Sequence, residues 1–348
     1  MAILGNTYLD LVEIARRTDK YDNSMAVTEL LAQKNPVMQD SLAVACNEGK
    51  QHKSTVRTGL PNVAWGRLYK GIPQSKSKTQ QVIDTTGFLE GRSTIDQRLL
   101  DGLKEPEKMK MVEGDAFLEA MAEEAQNTFF YGSTNTSPEK FDGLATRFSG
   151  FSTKEGGQIV DAGGSGSDNM SIWMVEWSDQ GCHMLYPSNH PAGLQREDKG
   201  IQRVFDEDGN AYYAHEEIFY HHLGLAVKDY RRVVRIANID VSNLLADPFA
   251  IDGGALSLLD VMRKGYHRLH AKQTMDQTFI PAMNQTVSRP KLVIYMNRTA
   301  FEAFDECHTE KSNVELRGKE IHGEMVPTYR DIPIRVSDAL LNTEAAVA

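Results

Sequence analysis

Asp206, Asp208, Asn210 and Glu217 fall at positions one, three, five and twelve of a calcium-loop spacing, in which short acidic side chains converge on one cation. The sixth position, where the sharp turn needs glycine, holds Ala211, and both flanks have the composition of strands. An Asp-Gly hairpin turn accounts for the same acids more simply. His215, Glu216, His221 and His222 form a second group. A zinc site on a helix needs its second histidine four residues after the first, and that position is Phe219. On a strand, His215 and His222 point to opposite faces. In the run from Gly163 to Ser167 a nucleophile elbow would need glycine last, where Ser167 stands, and a strained turn instead of a flexible Gly/Ser stretch. No glycine-rich phosphate loop ending in Gly-Lys-Ser/Thr occurs. These residues place no nucleophile, base and orienting group together, so no catalytic residue, no metal site and no cofactor are expected. A metal-dependent hydrolase built on the histidine-rich strand is the enzymatic alternative.

Charge is more informative than these clusters. Lys50, Lys53, Arg57, Arg67, Lys70, Lys76 and Lys78 lie between residues 50 and 83 with no acid among them, and the net charge of −10 less these seven leaves −17 for the rest of the chain. Such a stretch could be a nucleic-acid arm, a solvated loop, or an arm lying across an acidic surface of another subunit. Gly59, Pro61, Gly66, Gly71 and Pro73 punctuate it, which predicts a long irregular hairpin.

The elements around it are read from periodicity. Leu118, Met121, Ala122, Ala125 and Phe129 recur on one helical stripe, with Glu119, Glu123, Gln126 and Asn127 opposite, so a helix is predicted over Met111 to Tyr131. Gly132, in the left-handed conformation, is expected to end it, and Ser137-Pro138 to start a new element. The first fifty residues read as two short amphipathic helices separated by TDKYDNS, then a stretch ending near Gly49, an arm with little core of its own. Gly156 to Ser167 is expected to be flexible or exposed. Alternation from Ile172 to Trp177, a turn at Ser178 to Gly181, and Cys182 to Tyr186 predict one hairpin; Ile201 to Phe205 and the long run Ala211 to Asn238 predict another. Ala255, Leu258, Leu259, Met262, Tyr266 and Leu269 mark a helix face, Lys291 to Met296 a buried strand, and Thr299 to Glu310 a further helix. The fold class is α+β, with helices and strands segregated by region.

Composition bounds the rest. No apolar run approaches the about 18 residues of a membrane span. Tyr8, Leu11, Val12 and Ala15 have helical spacing amid acidic residues, unlike the apolar run of a signal peptide. Neither secretion by that route nor a membrane location is expected. Cys46, Cys182 and Cys307 are few and far apart, so no disulfide framework is predicted and the compartment is expected to be reducing.

Four phrases carry a resemblance: FFYGSTNTSPEKFDGLATRF (Phe129 to Phe148), SIWMVEWSDQGCHMLYP (Ser171 to Pro187), GLAVKDYRRVVRIANID (Gly224 to Asp240) and YRDIPIRVSDALLNTEAAV (Tyr329 to Val347). In that order the chain resembles the major capsid proteins of tailed bacteriophages, the Hong Kong ninety-seven fold, in the short podovirus-like version. The resemblance implies an N-terminal arm at 1–49, an extended loop at 50–96 and a peripheral domain at 97–187 with its spine helix at 111–131. A mainly axial domain at 188–325 and a C-terminal return segment at 326–348 complete it. It implies a structural protein, assembled in the host bacterial cytoplasm into the icosahedral virion shell. Its partners would be itself in pentamers and hexamers, portal, scaffolding and decoration proteins, and packaged double-stranded DNA held by weak non-specific contact. The extended loop of that family reaches over a neighbouring subunit, which favours the arm reading of the basic stretch. Arg57, Arg67, Lys70, Lys76 and Lys78 are then expected to face Glu119, Glu123 and Glu124 of an adjacent copy. No lysine is marked for an isopeptide crosslink, and none is predicted. An encapsulin-like compartment is the alternative within the same fold.

Overall fold

The computed structural model describes residues 36–206, 209–254, 256–270, 275–280, 285–312, 318–321 and 324–348. The helices expected in the first 35 residues, Asp208 and Ala255 lie outside them.

After a short helix at Val37–Asp40, strands follow as β1 Ala43–Ala45, β2 Gln51–Gly59 and β3 Lys78–Asp96. A small helix at Gln97–Asp101 precedes the long helix Pro106–Tyr131. Then come β4 Ile159–Asp161, β5 Asn169–Glu176, β6 Cys182–Tyr186, β7 Gln195–Phe205, β8 Ala211–Val227 and β9 Val233–Asp240. Helices at Val241–Ala246 and Leu258–Arg268 lead to β10 Met275–Ile280, β11 Gln285–Pro290 and β12 Leu292–Met296. The helix Arg298–Ser312 precedes β13 Gly318–Ile321, β14 Glu324–Tyr329 and β15 Ile332–Val336.

Among the described residues the chain forms two compact units, one from Phe88–Gln126 and Gly193–His222, the other from 36–87, Asn127–Ala192 and the described part of 223–348. The second is organised on a seven-stranded sheet in the order β13-β14-β15-β12-β5-β9-β4. β5 and β12 are buried at every position, because each has a strand on both sides and apolar side chains on both faces. The helices at Leu258–Arg268 and Arg298–Ser312 contribute Val261, Met262, Ala300 and Phe304 to a core with Met174, Ile236 and Ile294. Gly265 permits the close approach, since a Cβ there would stand 3.2 Å from Ile236. β6 and β8 pair in this unit, as do β2 and β3. In the other unit β7 and β8 pair from Gln195↔Tyr220 to Phe205↔Ala211. Phe117 stacks on Phe219 there with centroids 5.7 Å apart.

Several expectations change. The long helix begins at Pro106, five residues before the predicted start; proline is suited to a first turn, whose N–H groups have no intrahelical partner. Gln126, assigned to the polar face, is buried. Gly132 ends the helix without a positive φ; its role is space, since a Cβ would meet Phe141 O at 2.4 Å. Ser137-Pro138 lies in turns, and the next helix starts at Leu144. β5 and β6 are not a hairpin: β5 pairs with β9 and β12, β6 with β1 and β8. The run 211–238 is two strands, broken by a helical turn at Tyr230–Arg232. Gly156 to Ser167 holds β4, whose Ile159 and Val160 are buried and which pairs in parallel with β9.

The 36–49 stretch carries more core than expected. Asp40 is buried and accepts two hydrogen bonds from Arg335, at 3.1 and 3.0 Å. β4 and β5 pair with β9 and β12, so one sheet draws on both sides of the 187/188 boundary.

Candidate assembly interface

The basic stretch folds as the hairpin β2–β3, antiparallel from Gln51↔Thr85 to Gly59↔Lys78 with an irregularity between Arg57 and Gly59. Its root is fixed by polar contacts. Thr86 donates to Lys50 O through Oγ1 at 3.0 Å, and Asn47 and Lys53 exchange two hydrogen bonds at 2.7 and 2.8 Å. Arg147 holds Asp84 of β3 at 2.8 Å. His52 and His183 are buried with rings edge to face at 5.7 Å, and neither His52 Nδ1 nor His183 Nε2 has a hydrogen-bond partner. Burial, then the positive charge of Lys228, pushes His183 down to about 4 and lowers His52 in the same way. The pair is therefore neutral at pH 7. Burial pushes the neighbouring Cys182 thiol up to about 12, so it is not a nucleophile.

Beyond Gly59 the hairpin has no core. Every residue from Leu60 to Gln81 is exposed. Arg67 and Lys70 bracket a tight turn closed by Lys70 N–H donating to Arg67 O at 3.2 Å, and Tyr69 at its crest has φ +62°. A non-glycine residue in that region is strained. Val63, Trp65, Leu68 and Tyr69 are 92, 98, 90 and 107% exposed. Sequence reasoning marked the cations of this loop and passed over its apolar side chains. Their signal was large side chains with neither strand nor helix period inside a Gly/Pro-rich stretch.

Of the residues singled out for subunit contact, Arg57, Arg67, Lys70, Lys76 and Lys78 are all exposed along the hairpin. Glu119, Glu123 and Glu124 are partly buried on the long helix, the first two one helical turn apart.

The clusters with the look of chemistry have internal explanations. Asp206 accepts from Asn210 N–H at 2.7 Å as a turn cap, and Gly209 supplies φ +82°. Glu217 is held in a fork by Arg196 at 3.0 and 2.9 Å. His215 meets Asp198, an acid absent from the sequence expectation, at 3.1 Å. Asp198, His215 and Glu217 are the group of potential metal ligands found among the described residues. With the Arg196 guanidinium on Glu217, that cluster already contains its cation. His222 packs near Phe88, apart from this set, as alternation requires.

The model of the major capsid protein GP7 family matches residues 19–348. The chain belongs to that family. This capsid protein is 29% identical to a chain in the cryo-EM structure of bacteriophage Epsilon15, with a TM-score of 0.75, covering 100% of this chain and 99% of that one. The capsid of a native GTA particle gives 10% identity, a TM-score of 0.44 and coverage of 62 and 93%. The SrpI encapsulin of Synechococcus elongatus PCC 7942 gives 12%, 0.41, and 67 and 97%. No curated protein matches. The capsid protein has the Hong Kong ninety-seven-type α+β fold. It is a structural subunit of the icosahedral shell of a tailed phage, a component of the virion, and not an enzyme. Capsid proteins of this kind self-assemble into shells.

Proposed function

We propose that the β2–β3 hairpin is the arm by which each subunit of the shell grips the next. Arg57, Arg67, Lys70, Lys76 and Lys78 lie against Glu119, Glu123 and Glu124 on the long helix of an adjacent copy. The observation that carries this reading is a hairpin rooted by buried contacts and exposed throughout from Leu60 to Gln81, with cations and no acid. An extended segment that buries nothing in its own subunit does not offset the roughly 1 to 2 kcal/mol per residue of backbone ordering, and gains it from a neighbour. Each exposed ion pair contributes only about 0.2 to 1 kcal/mol, but repetition over every subunit makes assembly salt-sensitive.

The other parts are assigned as the family resemblance implies: arm 1–49, extended loop 50–96, peripheral domain 97–187, mainly axial domain 188–325 and return segment 326–348. The sheet containing β9 and β12, with its helices, supports a ring-forming role around the symmetry axes, and its pairing with β4 and β5 extends that body across residue 187. Portal, scaffolding and decoration proteins are the further partners. Packaged DNA is held by weak non-specific contact, as the net charge of −10 disfavours tight phosphate binding.

Charge reversal at Lys76→Glu with Lys78→Glu tests the arm. Empty-shell yield at low salt, measured by gradient sedimentation and negative-stain microscopy, is expected to fall while the isolated subunit stays folded. Normal empty shells, with a defect only on genome packaging, would replace this reading with the nucleic-acid one.

A further inference from the structure

The apolar part of the same hairpin points to a more specific contact, and this step rests on the hairpin reaching an adjacent subunit. Leu60, Val63, Trp65, Leu68, Tyr69 and Ile72 are all exposed, six large apolar side chains within thirteen residues. Isolated exposed apolar residues need no explanation, but a contiguous set on one loop marks a contact surface. Trp65 is the natural centre. Its neighbours Ala64 and Gly66 are slim and uncharged, so the indole projects without competition, and tryptophan in a pocket is the commonest anchor of a protein interface.

The second unit also carries an open cleft of about 200 Å³ whose walls include Val56, Val82, Phe148 and Tyr230. A dry cavity of roughly 150 Å³ accepts benzene, so this one has room for an indole. Arg147, Lys154 and Lys228 also line it, with Glu155, and a cation there suits the face of an electron-rich ring. The hairpin does not fill its own cleft: Trp65 is 98% exposed and stands beyond the end of the ladder. Val56 and Val82 lie within the paired region, and pairing continues outward to Gly59↔Lys78 before the tip begins. The shell supplies another copy. Knob and cleft are different patches of one surface, and such a heterologous contact is the kind that closes rings.

We propose that Trp65 of one subunit inserts into the cleft between Val56, Val82, Phe148 and Tyr230 of an adjacent subunit.

The chain contains its own reporter. It has three tryptophans, and Trp173 and Trp177 are buried, which leaves Trp65 as the one open to a soluble quencher. Iodide should quench about one third of the emission in dissociated subunits and almost none in shells, and Trp65→Phe should abolish the quenchable class. The cleft is tested by pairing Trp65→Cys with Tyr230→Cys. The three native cysteines are buried, so mild oxidation of assembled particles should give a ladder of linked chains on a denaturing gel. Filling the cleft with Val82→Trp should reduce shell yield several-fold while leaving soluble subunits.

Trp65 equally quenchable in shells and in subunits would overturn the proposal. Protection of Trp65 with no ladder, and full yield from Val82→Trp, would overturn the assignment of the cleft. The charge reversal at Lys76 and Lys78 reports separately. Its failure to impair assembly while Trp65 is protected removes the electrostatic grip and leaves the apolar insertion. An exposed Trp65 in shells that still need the two lysines does the reverse.

Discussion

In the seven-stranded sheet, β5 and β12 are buried along their whole length, and the charges among them are answered within the subunit. Arg235 donates to Ser171 Oγ at 3.1 Å, Phe148 O at 2.8 Å and Glu344 at 2.7 Å, while Glu344 also accepts from Tyr131 at 2.5 Å. From Leu60 to Gln81, in contrast, aromatic rings and cations stand in solvent. The buried charges of the sheet are paired within the subunit: Glu176 with Arg232 and Arg235 with Glu344. The hairpin tip is exposed throughout in its own subunit, and the proposed arm contact would give it partners in another. Stability of the subunit and competence to assemble should therefore respond to different residues.

The largest effect on stability is expected at the C-terminal network. Glu344→Ala leaves the buried Arg235 guanidinium without its carboxylate and should cost about 3 to 5 kcal/mol in urea denaturation of the subunit. Replacing both partners with apolar residues should cost less than the single change. A neutral Glu344→Ala would mean that the Arg235–Glu344 pair does not stabilise the subunit, and the distinction between sheet and hairpin tip would fail.

Acid should find the hairpin root next. His183 titrates near 4 in the folded state and near 6.5 unfolded, so between these values the unfolded chain binds more protons. Stability is then fully present above about pH 6.5 and falls as pH drops toward 4, by roughly 3 kcal/mol at most. Groups facing the imidazole are His52, Lys228 and Asp179, with Asp84 acting on His52. Unfolding midpoints measured from pH 7 to 4 should decline more steeply in the unaltered protein than in His183→Asn. Equal slopes would mean that His183 is not held neutral.

A smaller loss, about 1 to 3 kcal/mol, is expected for Gly132→Ala, whose Cβ would collide with Thr128 O at 2.5 Å and Phe141 O at 2.4 Å. Thermal melting measures it. The smallest effect belongs to the tip, where Lys76→Glu with Lys78→Glu should change subunit stability by no more than about 0.5 kcal/mol, as for surface substitutions generally. If that pair destabilises the isolated subunit, the tip is part of the fold and the comparison fails.

Much of this was legible in the chain itself where the signal is local. The long helix follows from the stripe through Met121, Ala125 and Phe129, the β7–β8 hairpin from its Asp-Gly turn, and β12 from five consecutive apolar residues. The hairpin β2–β3 was legible from its charge and its glycines. Its apolar tip was not, because attention to sign hides side chains that have none. Asp198 beside His215 was also out of reach, since their pairing across β7 and β8 depends on a register displaced between Asp198 and Gly200.

The sequence by itself determined the long helices and the longer extended runs, where charge accumulates, and, through the order of its phrases, the capsid family. Periodicity and turn chemistry act over a few residues, and one chain contains them fully. Tertiary structure alone decided which strands are neighbours. Ser178 to Gly181 has the composition of a hairpin turn, yet β5 and β6 enter different sheets, because β9 and β12 bury both edges of β5 and leave β6 to β1 and β8. The same holds for Glu344, a lone acid among the last ten residues until the fold sets it against Arg235, 109 residues away. Partners at that separation are chosen by burial and by the need to pair every buried charge, and those conditions exist only once the chain has folded.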